Sequence, residues 1–112
     1  MRRWLRSSPV APWTGLFLGA FGWFLHHQLG SEGNYYACGQ AGGLVVGALG
    51  ALCAAMVVAG GLISWWAGPN ARLAPTETPG FARLVGMAAA ALFLLAIGLQ
   101  VLAGALVPAC HR

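Results

Sequence analysis

Three long apolar stretches fill most of this chain and constrain its fold more than any other feature. They run over about residues 12–30, 41–66 and 81–107. Each nearly meets or exceeds the roughly 20 residues that an α-helix needs to cross a membrane. Charged residues make up 7% of the chain, whereas a soluble domain has about 25%. No stretch shows the period of two that a membrane β-barrel requires. The sequence therefore predicts an all-α membrane protein, a single domain over residues 1–112 with three transmembrane helices.

The arginines predict the orientation of these helices, because the chain contains no lysine. Five of the six arginines precede the first stretch or flank the connection between the second and third, namely Arg2, Arg3, Arg6, Arg72 and Arg83. The positive-inside rule then places the N-terminus and the loop 67–80 in the cytoplasm, and the loop 31–40 and the C-terminus outside. The net charge of +4 reflects this topology and attraction to the inner leaflet. It is no indication of nucleic-acid binding.

Small residues recur on one face of each predicted helix, at the steps of three and four that keep side chains on the same side. Helices in a bilayer associate by close backbone approach and by interhelical hydrogen bonds, so such faces predict helix contacts. Part of this surface is expected to remain for a partner. The glycines predicted to pack are Gly15, Gly19 and Gly22 in the first span, Gly43, Gly47 and Gly50 in the second, and Gly86 and Gly104 in the third.

Two adjacent histidines near the end of the first span are the main candidates for a site. His26 continues the glycine series, and His27 lies about 100° around the helix, so the two are not expected to face one site. One interpretation is an interhelical hydrogen bond from His26, to Gln100 or to a backbone carbonyl, that sets the helix register. The other is a ligand to haem or copper, which imidazole suits.

Two cysteines are predicted to lie just outside the outer membrane face. Cys38 precedes the second span and Cys110 follows the third, and a disulfide is expected if that compartment is oxidising. The alternative is a copper site from Cys38, Cys110 and His111, joined by His27. Cys53, inside the second span, is interpreted as a small buried hydrophobic residue.

Catalytic chemistry finds little support in the sequence. The only carboxylates are Glu32 and Glu77, which the predicted topology separates by the membrane, so paired-carboxylate acid–base chemistry is excluded within one chain. No glycine-rich phosphate loop followed by Lys-Ser/Thr is present. The chain is therefore predicted not to be an enzyme by itself.

One pattern resembles a known group of proteins. It consists of Trp23-Phe24-Leu25-His26 followed by Glu32, Tyr36 and Cys38, with Cys110 after the third span. With these residues the chain resembles small uncharacterised bacterial three-span membrane proteins encoded near haem-copper terminal oxidases. The resemblance implies a multi-pass protein of the bacterial inner membrane. It also implies an accessory or assembly subunit of a respiratory-chain oxidase, whose partners are larger membrane subunits.

Two functions are therefore expected from the sequence. The first is the accessory or assembly subunit, acting through helix packing and without an intrinsic cofactor. The alternative is a small membrane protein that binds haem, copper or quinone through His26, His27 and Gln100. A self-associating channel or carrier for small solutes is a weaker third.

Overall fold

The computed structural model describes residues 2–36, 42–67 and 79–107, and every element in these ranges is helical. Helix α1 spans Arg2–Ser7, and a 3-10 turn follows at Ala11–Trp13. The three long helices are α2 (Thr14–Tyr36), α3 (Gly42–Ala67) and α4 (Pro79–Leu106). No strand occurs in the described parts of the chain, in agreement with the predicted all-α class.

Two of these helices are long and apolar enough to cross a membrane, over Leu44–Ala67 and Gly80–Leu106. Helix α2 has 23 residues, a length of about 35 Å at 1.5 Å per residue. It does not meet the same test of apolarity. Length and composition thus indicate a membrane protein.

The helix ends differ from the sequence prediction at three places. Helix α2 continues to Tyr36, so residues 31–36 of the predicted outer loop are helical. The apolar run ends near residue 30, but nothing in Ser31–Tyr36 prevents intrahelical hydrogen bonds from continuing, since that segment has no proline. Helix α4 begins at Pro79, a residue that suits the first helical position because no N–H is needed there. The short helix α1 was not predicted.

The contacts of the glycines define how the three long helices run. Moving along α2 from Gly15 to Gly22, the α3 neighbours move backwards from Ser64 to Cys53, so α2 and α3 are antiparallel. On α4 the neighbours of Gly15 and Gly19 are Gly86 and Phe93, so α2 and α4 are parallel. Close approach at these positions requires the absence of a side chain.

The centre of the bundle is built from small and branched apolar side chains. Cys53 and Val57 of α3 meet Ala90 and Ile97 of α4, all at most 4% exposed. Burial of Cys53 agrees with its interpretation as a small hydrophobic residue. A stripe of leucines on the outward face of α4 is at least half exposed, at Leu92, Leu95, Leu99 and Leu102.

Helix α1 lies against the end of the bundle where α3 finishes. Leu5 is 4% exposed and packs in one cluster with Ala11 and Ala67. The arginines Arg3 and Arg6 of the same helix are exposed. One apolar side chain therefore fixes α1 in place and leaves Arg3 and Arg6 exposed.

Candidate functional site

Three polar side chains meet in the half of the bundle opposite α1. His26 and His27 lie just past the middle of α2, and Gln100 lies in the last third of α4. Because α2 and α4 run in the same direction, with Gly19 against Phe93, seven residues further along both helices bring His26 level with Gln100. We call these three side chains the histidine–glutamine network.

One amide joins both histidines. The Nδ1 atom of His26 lies 2.8 Å from Oε1 of Gln100, and Nε2 of Gln100 lies 3.0 Å from Nδ1 of His27. A carbonyl oxygen only accepts and an amide NH₂ only donates. In this amide orientation, which the network itself assigns, His26 carries its proton on Nδ1 and His27 accepts at Nδ1.

The hydrogen bond expected between His26 and Gln100 is thus present, but the expectation that the two histidines face different sites is wrong. The two side chains do leave α2 in directions about 100° apart. The carboxamide of Gln100 approaches from α4 between them and presents one end to each ring.

His26 is enclosed by the bundle. Its side chain is 2% exposed, and its Nε2 atom is buried with no hydrogen-bond partner among the residues that the structure describes. A Cβ atom added at Gly50 would lie 3.1 Å from this nitrogen and 2.5 Å from Cγ2 of Val101. The glycine at position 50 is therefore what allows α3 to approach the imidazole.

His27 lies on the outer side of the same network. Its ring stacks on Trp23, with centroids 5.4 Å apart and an angle of 15° between the planes. Trp23 in turn contacts Phe93 at 6.2 Å in a tilted arrangement. His27 is exposed yet held in orientation by an aromatic stack and by Gln100.

The predicted packing glycines divide into those that pack and one that does not. An added Cβ would lie within 3.4 Å of at least one neighbouring atom at Gly15, Gly19, Gly22, Gly50, Gly86 and Gly104. At Gly47 no described atom lies within 4 Å of an added Cβ, so the described helices leave this position open. Gly43, as well as Cys38, Cys110 and His111 with the disulfide and copper predictions, lies outside the residues whose side chains are described.

Three contacts were missed by the sequence reasoning. Ser64, fully buried, accepts a hydrogen bond of 2.8 Å from the backbone N–H of Gly15. Gly60 packs against Leu18 and the carbonyl of Thr14. The guanidinium of Arg83 lies over the ring of Trp65. A signal existed for Ser64, since it follows Val57 by seven residues and so continues the buried face of α3.

The network offers hydrogen bonding rather than a ready coordination sphere. Within the described ranges, no three side chains of His, Cys, Asp or Glu come together in a way that could hold a metal ion. Glu32 is exposed and makes no described contact with the histidines. Within the network, the unusual chemical group is the buried Nε2 of His26, which has no hydrogen-bond partner among the described residues.

No family model matches the chain, and no match was found among curated proteins or solved structures. The resemblance to proteins encoded near terminal oxidases therefore stays a hypothesis.

Proposed function

We propose that the chain is a three-span membrane protein that docks sideways, as an accessory or assembly subunit, against larger subunits of a membrane complex. The observation that carries this proposal is a pair of glycines left open beside the contact between α3 and α4. We call Gly47 and Gly98 the open glycine seam.

The seam follows from helical periodicity. Gly47 lies on the same face of α3 as Gly61, two heptads further on, and Gly61 contacts Ala90 of α4. Gly98 lies one turn before Val101, which reaches the Gly50 position on α3. Both glycines thus border the α3–α4 contact, and no described atom lies within 4 Å of a Cβ added at either. In lipid, such uncovered small residues favour the approach of another helix.

The third span in this proposal is α2. It packs along α3 from Gly15 to His26 and along α4 over the same length. Its outward side chains are apolar and at least half exposed, at Phe17, Phe21 and Phe24. Three of its glycines, Gly15, Gly19 and Gly22, and its buried His26 lower its apolarity and face the other two helices. A helix with this distribution suits insertion beside two spans, with the N-terminus cytoplasmic by the arginine distribution.

The partner in the proposal is a respiratory complex of the bacterial inner membrane, with a haem-copper terminal oxidase as the first choice. This choice rests on the sequence resemblance alone. In this role the chain contributes no catalytic group, and the histidine–glutamine network fixes α2 against α4.

The test is purification of the tagged protein from its native membrane in a mild detergent, with mass spectrometry of the chains that accompany it. Gly47→Leu and Gly98→Leu are expected to remove the partner while the protein stays inserted. Ala20→Leu, on the exposed side of α2, is the matched control and is expected to keep it. A protein that purifies alone, or a partner retained by both glycine variants, would contradict docking at this seam.

A second candidate is a copper-binding membrane protein, favoured by the unpaired Nε2 of His26. Metal-bound histidines usually donate their other ring N–H to a fixed acceptor, and His26 donates Nδ1–H to Gln100 in this way. A quinone carbonyl would need an N–H donor at Nε2, whereas the hydrogen bond to Gln100 places the ring proton on Nδ1. A haem would not fit between His26 and Gly50 without separating α2 from α3.

This candidate is tested by metal analysis of gently purified protein. Bound copper that disappears in His26→Ala, and persists in His27→Ala, would support it. Protein free of copper after growth in copper-supplemented medium would leave the network with a structural role only.

A further inference from the structure

The end of the bundle that carries α1 contains a guanidinium, that of Arg83, stacked on a tryptophan. The Cζ atom of Arg83 lies 4.5 Å from the ring centroid of Trp65. Its Nε atom is buried and has no acceptor among the described residues. Stacking uses the face of a guanidinium and leaves its edge, with up to five N–H donors, free for a planar arrangement of oxygens.

The same end of the bundle is cationic and rich in tryptophan. Helix α1 is fixed there by Leu5 and presents the exposed Arg3 and Arg6. Trp4 is 66% exposed, and Trp66, next to Trp65, is 54% exposed. Tryptophans of this kind are typical of the headgroup level of a membrane.

Neither carboxylate of the chain is described near Arg83. Glu32 lies close to the end of α2 that carries the histidines, at the opposite end of the bundle. Glu77 lies outside the described residues, and the experiment below therefore includes it.

We propose that the edge of the Arg83 guanidinium, held by Trp65, binds the phosphate of an anionic phospholipid. Arginine pairs with phosphate through two parallel N–H···O bonds, a geometry that a lysine does not reproduce. Exposed apolar side chains beside Arg83, at Phe81 and Leu84, offer contact to acyl chains. Clustered basic residues at one membrane face attract anionic headgroups over neutral ones.

This proposal requires that the bundle is inserted in a membrane, and it does not require a docking partner. The lipid-binding proposal and the docking proposal can therefore fail independently. The shared chemistry is a phosphate group, which either a lipid or free phosphate can supply. The experiment is thermal unfolding of the purified full chain in neutral detergent, with added phosphatidylglycerol, phosphatidylcholine or inorganic phosphate.

Phosphatidylglycerol is expected to raise the unfolding midpoint by on the order of 5 °C, while the other two additions leave it nearly unchanged. Arg83→Gln should lose most of this shift, and Arg83→Lys and Trp65→Leu should lose part of it. Arg112→Gln changes the net charge equally at the other end of the sequence and should keep the full shift.

Several results would overturn the proposal. Equal shifts in Arg83→Gln and the parent protein would exclude Arg83, and equal losses in Arg83→Gln and Arg112→Gln would reduce the effect to net charge. Equal shifts with inorganic phosphate would assign a free-anion site, and equal shifts with phosphatidylcholine would remove the preference for anionic lipid. If Arg83→Gln does not fold, the shifts of the unfolding midpoint that phosphatidylglycerol causes in Arg83→Lys and Trp65→Leu test the proposal instead. A Glu77→Gln variant that loses as much stability as Arg83→Gln, without any lipid effect, would assign Arg83 an internal partner.

Discussion

At the scale of single residues, the histidine–glutamine network depends on a glycine, Gly50, beside His26. Gly50 leaves room for the enclosed edge of His26, and Val101 occupies the rest of that space. Valine has one strongly preferred rotamer in a helix, and His26 is held by Gln100. Neither neighbour can move away at little cost.

Gly50→Ala is therefore expected to destabilise the bundle, because its added Cβ would lie 2.5 Å from Cγ2 of Val101. Relative to Gly98→Ala, the loss in free energy of unfolding should be about 1–3 kcal/mol. The comparison cancels the gain in helix propensity that both alanines share, since Gly98 has no described neighbour within 4 Å. Unfolding of both variants by SDS titration measures the difference. Equal stability would show that α3 does not approach His26 this closely.

The protonation pattern of the network is a second prediction at this scale. Since Gln100 accepts from His26 and donates to His27, neutral His26 should carry its proton on Nδ1 and neutral His27 on Nε2. Nitrogen-15 NMR of histidine-labelled protein, with single-histidine variants for assignment, distinguishes these tautomers. Gln100→Leu should remove the difference and cost about 1 kcal/mol of stability. Gln28→Leu, at an exposed position of α2, should do neither. Identical tautomers in the parent protein would contradict the network.

At the scale of elements, the start of α2 is completed by another helix. The first four N–H groups of an α-helix have no partner within the helix. Gly15 is the second residue of α2, and the hydroxyl of Ser64 on α3 accepts its N–H in a buried position. One hydrogen bond thus joins the beginning of α2 to the last turn of α3.

Ser64→Ala should therefore leave a buried N–H unpaired and cost about 1–3 kcal/mol of unfolding free energy. Ser7→Ala is the matched control, because the hydroxyl of Ser7 donates to the Trp4 carbonyl at an exposed position. Its effect should stay within about 0.5 kcal/mol. If hydrogen exchange at the Gly15 amide were no faster in Ser64→Ala than in the parent protein, the hydroxyl would not be its partner.

These elements also show how far the sequence determines the fold. Glycine steps of three and four predicted the faces of α2 and α4 that are buried, because helical periodicity places such residues on one side. Periodicity does not give the reach of a side chain on a neighbouring helix, so the joint contact of Gln100 with both histidines was missed. It also does not give the rotation of α3, and Gly47 therefore remained open while Gly60 packed.

At the scale of the whole molecule, the arginine distribution predicts where each end lies. The N-terminus should be cytoplasmic and the C-terminus external. Fusion of alkaline phosphatase to the C-terminus should give an active enzyme, and fusion to the N-terminus an inactive one. Replacing Arg2, Arg3 and Arg6 by glutamine is the informative variant, since it removes three of the five charges on the predicted inner side. A C-terminal fusion that is inactive in the parent protein would exclude this orientation.

The predicted orientation would place Cys38 and Cys110 on the external side, where we predict a disulfide between them. Helices α3 and α4 are antiparallel, with Val46 near Gly104. Cys38 precedes α3 and Cys110 follows α4 within a few residues. The start of α3 and the end of α4, which these cysteines adjoin in sequence, thus lie at the same end of the bundle.

Counting thiols tests this disulfide. The chain has three cysteines, so denatured, unreduced protein should react with one maleimide-polyethylene glycol, at Cys53, and reduced protein with three. Cys110→Ser should react twice with or without reduction, because Cys38 then has no partner. Three additions before reduction would exclude the disulfide. If copper is also released when three additions are found, the alternative copper site with Cys38 and Cys110 is favoured. Copper binds reduced thiolates and would keep the two cysteines from being oxidised to a disulfide.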